Sequence, residues 1–365
     1  MSVPVAHRGE QAAEADARVA AALAAISAAA DDLDRHPRFP SDAFSALAGA
    51  GVTGATLGAT DAGERGSFHR ELALVRAVAR ADGSVGRILD GHFNAVERLC
   101  TAVPPLLAPD DRQKIDDGRL LLGVWGADPA KDEGRPAVIS TDGSGRRVLL
   151  GVKTFCSGAG GVQRALIIAS DEQGARRLAY VDVTRGTQID RSWYRGDGLR
   201  ASESHRVSFD RAPVLAVIGE PGEMLREPWF SRDALRTSAT WAGIADRVFA
   251  SALDFLRERG AKDDLVALSV GRMQVALGTI DRWLADAARQ ADGGASLAHL
   301  SVQGRWAIAA ACREVAAEAA RSCGSRPLTR GGGLSRGRRD LDLFLLQHRL
   351  EPLLARHGRT RLEAS

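Results

Sequence analysis

The sequence contains few cysteines and no long apolar run. Its 365 residues include only Cys100, Cys156, Cys312 and Cys323, and no two of them form a Cys-x-x-Cys pair. Scattered cysteines argue against a disulfide framework or a zinc site, so free thiols in a reducing compartment are expected. No apolar run reaches about 20 residues, the length that a helix needs to cross a bilayer. A membrane-spanning protein is therefore not expected.

The chain also carries little net charge for its size. Lys and Arg number 49 and Asp and Glu 46, which leaves +3 and argues against an extended polyanionic partner such as nucleic acid. The eight histidines show no metal-ligand spacing, so no metal is expected. Glu10, Glu14 and Asp16 interrupt the basic and then apolar pattern of a signal peptide. We therefore expect a cytoplasmic globular protein that binds neither membranes nor nucleic acid.

The periodicity of the sequence changes twice, which predicts three domains. Residues 1–118 show apolar positions three and four apart, as at Val19, Leu23 and Ile26, and indicate a helical domain. Ser84 is expected to cap one of its helices, and a short helix is expected near Pro109 to Asp116. Residues 119–227 contain short β-leaning runs separated by Gly, Asp and Pro, which indicates a small antiparallel β domain. Residues 228–365 return to the helical period and predict a four-helix bundle. The expected fold class is α+β. The expected strands are 120–125, 137–140, 147–152, 165–169, 178–183 and 205–209, and the bundle helices are 233–259, 264–291, 297–322 and 341–356.

A glycine-rich turn in the β domain is the strongest candidate for a ligand site. The stretch from Gly151 to Gly160 lies between two apolar runs and is typical of a strand that ends in a turn. Phe155, Cys156 and Ser157 fall at its edge, where a ligand can sit. The alternative is that Phe155 is a core aromatic residue and Ser157 a turn former.

Seven local motifs, in order, resemble those of the acyl-CoA dehydrogenase superfamily, whose members have a helical domain, a β domain and a C-terminal four-helix bundle. The resemblance covers nearly the whole chain. The motifs are Phe39-Pro40 with Leu47 and Gly51, Ala81-Asp82-Gly83-Ser84 with Gly91-His92, Asp128-Pro129, Lys153 to Gly160, Gly198 to Ser204, Phe255 to Arg259, and Arg339-Asp340.

The resemblance implies a flavin, FAD in most members, held between the β domain and the bundle of a homodimer or homotetramer. Phe155 takes the place of a Trp beside the flavin ring, and Ser157 that of a Thr whose hydroxyl bonds near the reactive ring nitrogen. Arg259 takes the place of an Arg that reaches the cofactor's pyrophosphate across a subunit interface. The remaining implied cofactor-binding residues are Trp125, Ala127 and Cys156.

The catalytic base departs from the family's pattern. Acyl-CoA dehydrogenases carry a Glu eight residues after the Arg-Asp pair, and His348 stands at that position here. Some members place the base on the first bundle helix, where Asp233 aligns. An imidazole near neutral pKa suits acid–base work. The alternatives are that His348 is an interior histidine and that Asp233 simply favours the dipole at a helix start.

Three functions remain open. The resemblance first implies a dehydrogenase that transfers a hydride from an acyl-thioester-like substrate to FAD, with an electron-transfer partner. The superfamily also includes two-component monooxygenases, which take reduced FAD or FMN from a reductase and form a C4a-hydroperoxyflavin. Their turn often reads Phe-x-Ser-Gly or Phe-Cys-Thr-Gly, which resembles Phe155 to Gly158. The third is a relative that has lost catalysis and serves as a binding subunit. If this chain is such a monooxygenase, the resemblance implies that Ser157 and His348 form hydrogen bonds with the oxygenated flavin.

Overall fold

The chain folds into two compact units. The structure, a computed structural model, describes residues 5–58, 67–347 and 349–363. Unit 1 consists of residues 1–66, 91–195 and 201–224, and unit 2 of residues 67–90, 196–200 and 225–365. The division into three domains at residues 118 and 227 stays a prediction.

Two helices of unit 1, the second part of α4 and α5, share a core with its sheet. Their apolar positions, among them Val96, Leu99 and Ile115, share a core with Leu166 and Tyr180 of the strands. All five are almost inaccessible to solvent, so their burial stabilises the unit by about 25 cal/mol per Å² of apolar surface removed from water. The helices are α1 (Val5–Arg35), α2 (Ser41–Gly49), the second part of α4 (Gly83–Cys100) and α5 (Pro109–Asp116).

A seven-stranded sheet forms the rest of unit 1. The strand order is β1-β4-β2-β3-β7-β5, β6 pairs with β7, and β4 also pairs with β5. Most pairings are antiparallel, as the sequence predicts, but β1 and β2 each run parallel to β4. The long connection between β1 and β4 carries β2 and β3, and so it can return the chain in the same direction. The strands are β1 (Leu122–Trp125), β2 (Val138–Thr141), β3 (Arg147–Cys156), β4 (Arg164–Ser170), β5 (Arg176–Asp182), β6 (Thr187–Asp190) and β7 (His205–Ile218).

Unit 2 is helical, and the prediction of one last helix over residues 341–356 is wrong. The expected helix over 341–356 is two helices, because α10 ends at Phe344 and α11 begins at Glu351. Pro352 lacks a backbone N–H and occupies the first turn of α11, the place where a helix tolerates proline. The unit contains α3 (Phe68–Ala81), the first part of α4, α6 (Trp229–Glu258), α7 (Asp264–Asp292), α8 (Arg305–Cys323), α9 (Arg326–Thr329), α10 (Gly333–Phe344) and α11 (Glu351–Glu363).

A π-helical turn precedes α8. The sequence predicts a helix from residue 297, whereas the structure has a wide turn over Leu300–Gly304 and a regular α-helix only from Arg305. Such turns are rare and often occur at functional sites. Among the residues that the structure describes, no helix is both long enough and apolar enough to cross a membrane.

Candidate active site

The turn after β3 displays an aromatic side chain in a strained backbone position. Phe155 has φ +51°, a region that bulky residues avoid, and its residue surface is 54% exposed. The register between β3 and β7 shifts here, as in a β-bulge, which re-aims side chains. The ring packs edge-on against Trp193, with centroids 4.8 Å apart. The interpretation of Phe155 as a core aromatic is therefore wrong, and its exposure under strain indicates a functional role.

A chain of three serine hydroxyls lies behind the turn. Ser157 Oγ is 2.9 Å from Ser204 Oγ, which in turn is 2.8 Å from Ser202 Oγ. The backbone N–H of Gly158 donates to the carbonyl of Ser202 at 2.7 Å, so the turn is tied to the segment just before β7. Ser157 is 9% exposed, at the border between interior and solvent. Its hydroxyl therefore has a fixed partner on one side.

The end of β1 is joined to the same turn. Trp125 is buried, and its Nε1–H donates to the carbonyl of Ser157 at 3.0 Å. Ala127 is exposed, and its carbonyl accepts from Thr154 N at 3.2 Å. Unit 1 thus brings Trp125, Ala127, Phe155 and Ser157 together, and their role in binding a cofactor stays a prediction.

A buried lysine holds this arrangement in place. Lys153 Nζ donates to Asp128 Oδ1 at 2.7 Å and to the carbonyl of Gly126 at 3.1 Å. Burial lowers the pKa of Lys153, and the neighbouring Asp128 carboxylate opposes that change. The lysine thus links β3 to the segment that contains Ala127.

The side chain of Cys156 packs in the interior beneath the turn. It is fully buried, and its Sγ lies 3.8 Å from the carbonyl oxygen of Thr154. Burial raises the pKa of the thiol well above its usual value, so it stays neutral and unreactive. The prediction that Cys156 binds the cofactor stays a prediction, and its side chain contributes packing.

The turn fits a planar ring of mixed polarity, as a flavin has. Phe155 offers an exposed aromatic face, Ser157 a hydroxyl beside it, and the residues from Gly126 to Asp128 a neighbouring backbone edge. The lysine and tryptophan contacts fix these groups before any ligand arrives. Such preorganisation suits the binding of a rigid cofactor.

Asp233 lies in unit 2 within a buried ion cluster. It is 6% exposed, in the second turn of α6, and its Oδ1 is 3.6 Å from Arg236 Nη1. Arg236 also donates from Nε to Glu71 Oε2 at 3.0 Å, and Arg232 lies 3.4 Å from Glu71 Oε1. Asp233 is therefore committed to ion pairing in this structure. Its predicted role as a base stays a prediction.

The described part of the chain provides no contact that supports a role for Arg259 or His348, the other two site residues predicted in the C-terminal part. Arg259 is exposed at the C-terminal end of α6, in unit 2, and its role at a pyrophosphate stays a prediction. His348 lies outside the described residues. Among the described residues, no cluster of His, Cys, Asp or Glu is placed to hold a metal ion.

Two curated proteins align with most of the chain. A probable FMNH2-dependent monooxygenase, SfnC, of Pseudomonas putida is 25% identical over 303 residues, which are 77% of this chain and 74% of that protein. The L-evernosamine nitrososynthase of Micromonospora sp. is 32% identical over 273 residues, which are 67% of this chain and 61% of that protein. The alignment thus spans about three fifths of the nitrososynthase. No protein-family model matches the chain.

Solved structures show the same fold. Dibenzothiophene monooxygenase TdsC from Paenibacillus sp. A11-2 aligns with a TM-score of 0.81 at 19% identity, over 96% of this chain and 98% of that one. Butyryl-CoA dehydrogenase from Megasphaera elsdenii aligns with a TM-score of 0.80 at 15% identity, over the same shares. The chain therefore has the fold of the acyl-CoA dehydrogenases.

The structure also shows site residues that the sequence motifs did not indicate. The stretch from Gly198 to Ser204, noted only as a motif, supplies Ser202 and Ser204 of the hydroxyl chain. Trp193, the partner of Phe155, carries no motif, because an aromatic residue between β6 and β7 looks like any loop residue. The recurrence of Ser at alternate positions before β7 is the signal that predicts the hydroxyl chain.

A buried acid–histidine pair adjoins the serines and was also missed. Glu203 has φ +48° and is 4% exposed, and it forms an ion pair with Arg191. His205 is also buried, with Nε2 3.3 Å from Glu203 Oε2, although the geometry is not that of a hydrogen bond. Glu203 and His205 flank Ser204, the middle hydroxyl, so this pair lies one residue from the chain of serines.

His92 of the superfamily motif Gly91-His92 is structural. Its Nε2 lies 3.0 Å from the carbonyl of Thr53, and its Nδ1 accepts from Leu122 N at 3.1 Å. These partners fix a neutral imidazole that donates from Nε2. Burial lowers the pKa of His92 to about 4, against an opposing effect of the Thr53 bond. A surface position for His92 is excluded, because the residue is completely buried.

Proposed function

We propose that this chain is a monooxygenase that receives reduced flavin from a separate reductase and oxygenates a small molecule. It is a flavin-dependent oxidoreductase of the acyl-CoA dehydrogenase fold. SfnC is named as FMNH2-dependent, and solved structures of TdsC and of KijD3 contain FMN. These relatives support the choice of reduced FMN or FAD as the cofactor and of a reductase as the partner.

The observation that carries the proposal is the state of Asp233. A dehydrogenase acting on a thioester needs a base for the α-proton, and in place of the usual Glu the two aligned positions carry His348 and Asp233, of which only Asp233 is a carboxylate like that Glu. That carboxylate faces Arg236 at 3.6 Å in a buried cluster with Glu71. A monooxygenase needs no such base, so the ion pair is compatible with oxygen chemistry and unfavourable for thioester oxidation.

The residues of the turn have definite tasks in this reaction. When bound, reduced flavin supplies the activation of dioxygen. Phe155 provides a face for the ring, and Ser157 provides a hydroxyl whose other contact, Ser204, fixes its direction at 2.9 Å. The chain to Ser202 gives a proton two further oxygen atoms to move between. Lys153 keeps the segment around Ala127 beside the ring without entering the chemistry.

The test compares two flavin reactions with one protein. Purified chain is titrated anaerobically with dithionite-reduced FMN and then mixed with oxygen, while a second sample with FAD receives a panel of acyl-CoA thioesters and an artificial electron acceptor. We expect binding of reduced FMN, delayed reoxidation in the presence of protein, and no dye reduction. Dye reduction by any thioester would contradict the proposal and restore the dehydrogenase. Absence of binding for both flavins would support a non-catalytic subunit.

Ser157→Ala shows whether the turn is the site. We expect the variant to weaken binding of reduced FMN roughly tenfold, as the loss of one hydrogen bond of about 1–1.5 kcal/mol predicts. Ser45→Ala is the matched control, since Ser45 is exposed on α2, away from the turn in sequence. Equal binding and reoxidation in the wild type and Ser157→Ala would show that the site is misplaced.

A further inference from the structure

The segment over residues 202–204 contacts the glycine-rich turn at three successive positions. Its first two carbonyls accept from the backbone N–H groups of Gly158 and Ala159, at 2.7 and 3.2 Å. The third contact joins Ser204 Oγ to Ser157 Oγ at 2.9 Å. The direction of the Ser157 hydroxyl therefore depends on the backbone conformation of this segment.

The middle residue of the segment has a strained backbone. Glu203 has φ +48°, in the left-handed region that glycine adopts freely and that a residue with a Cβ enters only at a cost. The backbone N–H of His205 donates to the carbonyl of Glu203 at 2.9 Å, which closes a tight turn around the strained residue. Strain of this kind persists only where surrounding contacts hold it, and it occurs mostly at functional sites. Glycine would remove the strain, so the presence of glutamate indicates a task for its carboxylate.

Arg191 holds that carboxylate, and His205 lies beside it. The side chain of Glu203 is 5% exposed, and its Oε2 forms an ion pair and a hydrogen bond with Arg191 Nη1. The same Oε2 lies 3.3 Å from His205 Nε2. Hydrogen bonds between charged groups are stronger than those between neutral ones, so the contact with Arg191 can offset the strain at Glu203.

Arg191 also lies against the turn itself. Its guanidinium covers Gly160, where a Cβ would be only 2.5 Å from Nη2. One arginine thus bridges the carboxylate of Glu203 and the end of the turn, and we call Arg191 and Glu203 the clamp. The side chain of Arg191 is 59% exposed, so water can solvate its charge if the carboxylate is removed.

We infer that Glu203 is a positioning residue for the flavin site. Its carboxylate, held by Arg191, keeps Glu203 in the left-handed conformation that directs Ser204 Oγ to Ser157 Oγ. Because Ser157 is the hydroxyl offered to the flavin ring, this inference rests on the proposed function. Glu203 acts through Ser204 and Ser157 and takes no part in the chemistry itself.

Three substitutions of Glu203 separate the carboxylate from the backbone strain. Glu203→Ala removes the carboxylate and keeps the strain. Glu203→Gln keeps the shape of the side chain and removes its charge, and Glu203→Gly removes both the carboxylate and the strain. Arg211→Gly is the matched control, because Arg211 is an exposed residue of β7 with φ +56°.

Each variant of the full chain is measured in two ways. Hydrogen–deuterium exchange without flavin, followed by mass spectrometry, reports the opening of the turn through a peptide that contains Gly158 and Ala159. A peptide from β4 reports the opening of the whole unit. Stopped-flow mixing with oxygen reports how fast bound reduced FMN is reoxidised, with Ser157 intact and in the Ser157→Ala background.

We expect the turn peptide to exchange roughly fivefold to thirtyfold faster in Glu203→Ala, the factor that corresponds to the strain of one left-handed residue. Glu203→Gln should show a smaller increase, because its amide oxygen still accepts from Arg191, and the β4 peptide should be unchanged in both. Glu203→Gly and Arg211→Gly should stay within about twofold of the wild type in both measurements, since glycine holds the conformation without help.

The reoxidation of reduced FMN shows whether Glu203 acts through Ser157. Glu203→Ala should speed reoxidation when Ser157 is intact and have no further effect in the Ser157→Ala background. A residue that only stabilised the fold would add its effect to that of Ser157→Ala.

Unchanged exchange of the turn peptide in Glu203→Ala would overturn the inference. So would a Glu203→Gly variant as impaired as Glu203→Ala, which would show that the carboxylate itself is required. Faster exchange of the β4 peptide as well would make Glu203 a residue of general stability. If no Glu203 variant folds, Arg191→Gln tests the clamp from its exposed end, and wild-type exchange of the turn would count against it. A wild type that binds no reduced FMN would contradict the proposed function, whereas the exchange data would still decide what Glu203 does.

Discussion

Replacing Phe155 with glycine and with alanine separates the strain at the turn from its function. Phe155 has φ +51°, which costs a non-glycine residue about 1–2 kcal/mol. Glycine relieves that strain but loses about 0.5–1 kcal/mol through the greater freedom of the unfolded chain. Both variants lose the edge-on contact with Trp193, which contributes roughly 0.5–1.5 kcal/mol. Phe155→Gly should therefore be about 0.5–1 kcal/mol more stable than Phe155→Ala.

Urea unfolding of the two variants measures this difference, and titration with reduced FMN measures the function. Both variants should bind reduced FMN equally weakly, because both lack the aromatic face. Equal stabilities of the two variants would refute the argument from strain. Wild-type affinity for reduced FMN in either variant would refute the role of the ring.

Three further predictions concern buried charges and a buried histidine. Lys153→Met should destabilise the fold by about 1–3 kcal/mol in urea unfolding, because partly exposed Asp128 loses a partner at 2.7 Å. The variant should also bind reduced FMN more weakly, and an unchanged FMN affinity would argue against positioning by this lysine. Glu71→Gln should cost about 3–5 kcal/mol, since it leaves Arg236 buried with less compensation, whereas wild-type stability would show that the pair contributes nothing. The folded pKa of His92, about 4, lies below its unfolded value of 6.5, so the unfolded chain binds the proton more readily. The stability due to neutral His92 should be complete above pH 6.5 and fall by up to about 3 kcal/mol toward pH 4, and His92→Asn should lack this part of the slope.

The sequence predicts elements whose pattern is local. The helix over Pro109–Asp116 carries its own start signal, a proline in the first turn followed by acidic residues, and it lies where the pattern predicts it. The helix over Gly83–Cys100 is also present, but Asp82 rather than Ser84 caps it, with Oδ1 accepting from Val85 N at 3.0 Å. Both residues are good caps, and backbone geometry alone decides between them.

The hydrophobic pattern of the sequence does not predict which distant strands pair with each other. The parallel alignment of β1 with β4 depends on where a long connection leads, and the short strand β6 has too few residues to show alternation. The length of β7 was underestimated because Asp210, Arg211 and Pro213 read as a turn. Arg211 has φ +56° within this strand, a kink that pairing on both sides tolerates.

The candidate site was predictable where family motifs carry it and not elsewhere. The turn from Phe155 to Ser157 contacts the segment with Trp125 and Ala127, and the binding of a cofactor by these residues stays a prediction. The sequence could not show the ion cluster around Asp233. Asp233 pairs with Arg236, and Arg236 in turn pairs with Glu71, which lies on another helix and is distant in sequence.

The most direct test of monooxygenation is an oxygen-labelling experiment with the full chain, a flavin reductase, FMN and NADH under ¹⁸O₂, with a panel of small aromatic molecules as trial substrates. The account predicts one ¹⁸O atom in the product, loss of most of this activity in Ser157→Ala, and none of it when the reductase is omitted. It would be contradicted by a protein that purifies with firmly bound oxidised FAD and whose yellow colour is bleached anaerobically by an acyl-CoA thioester.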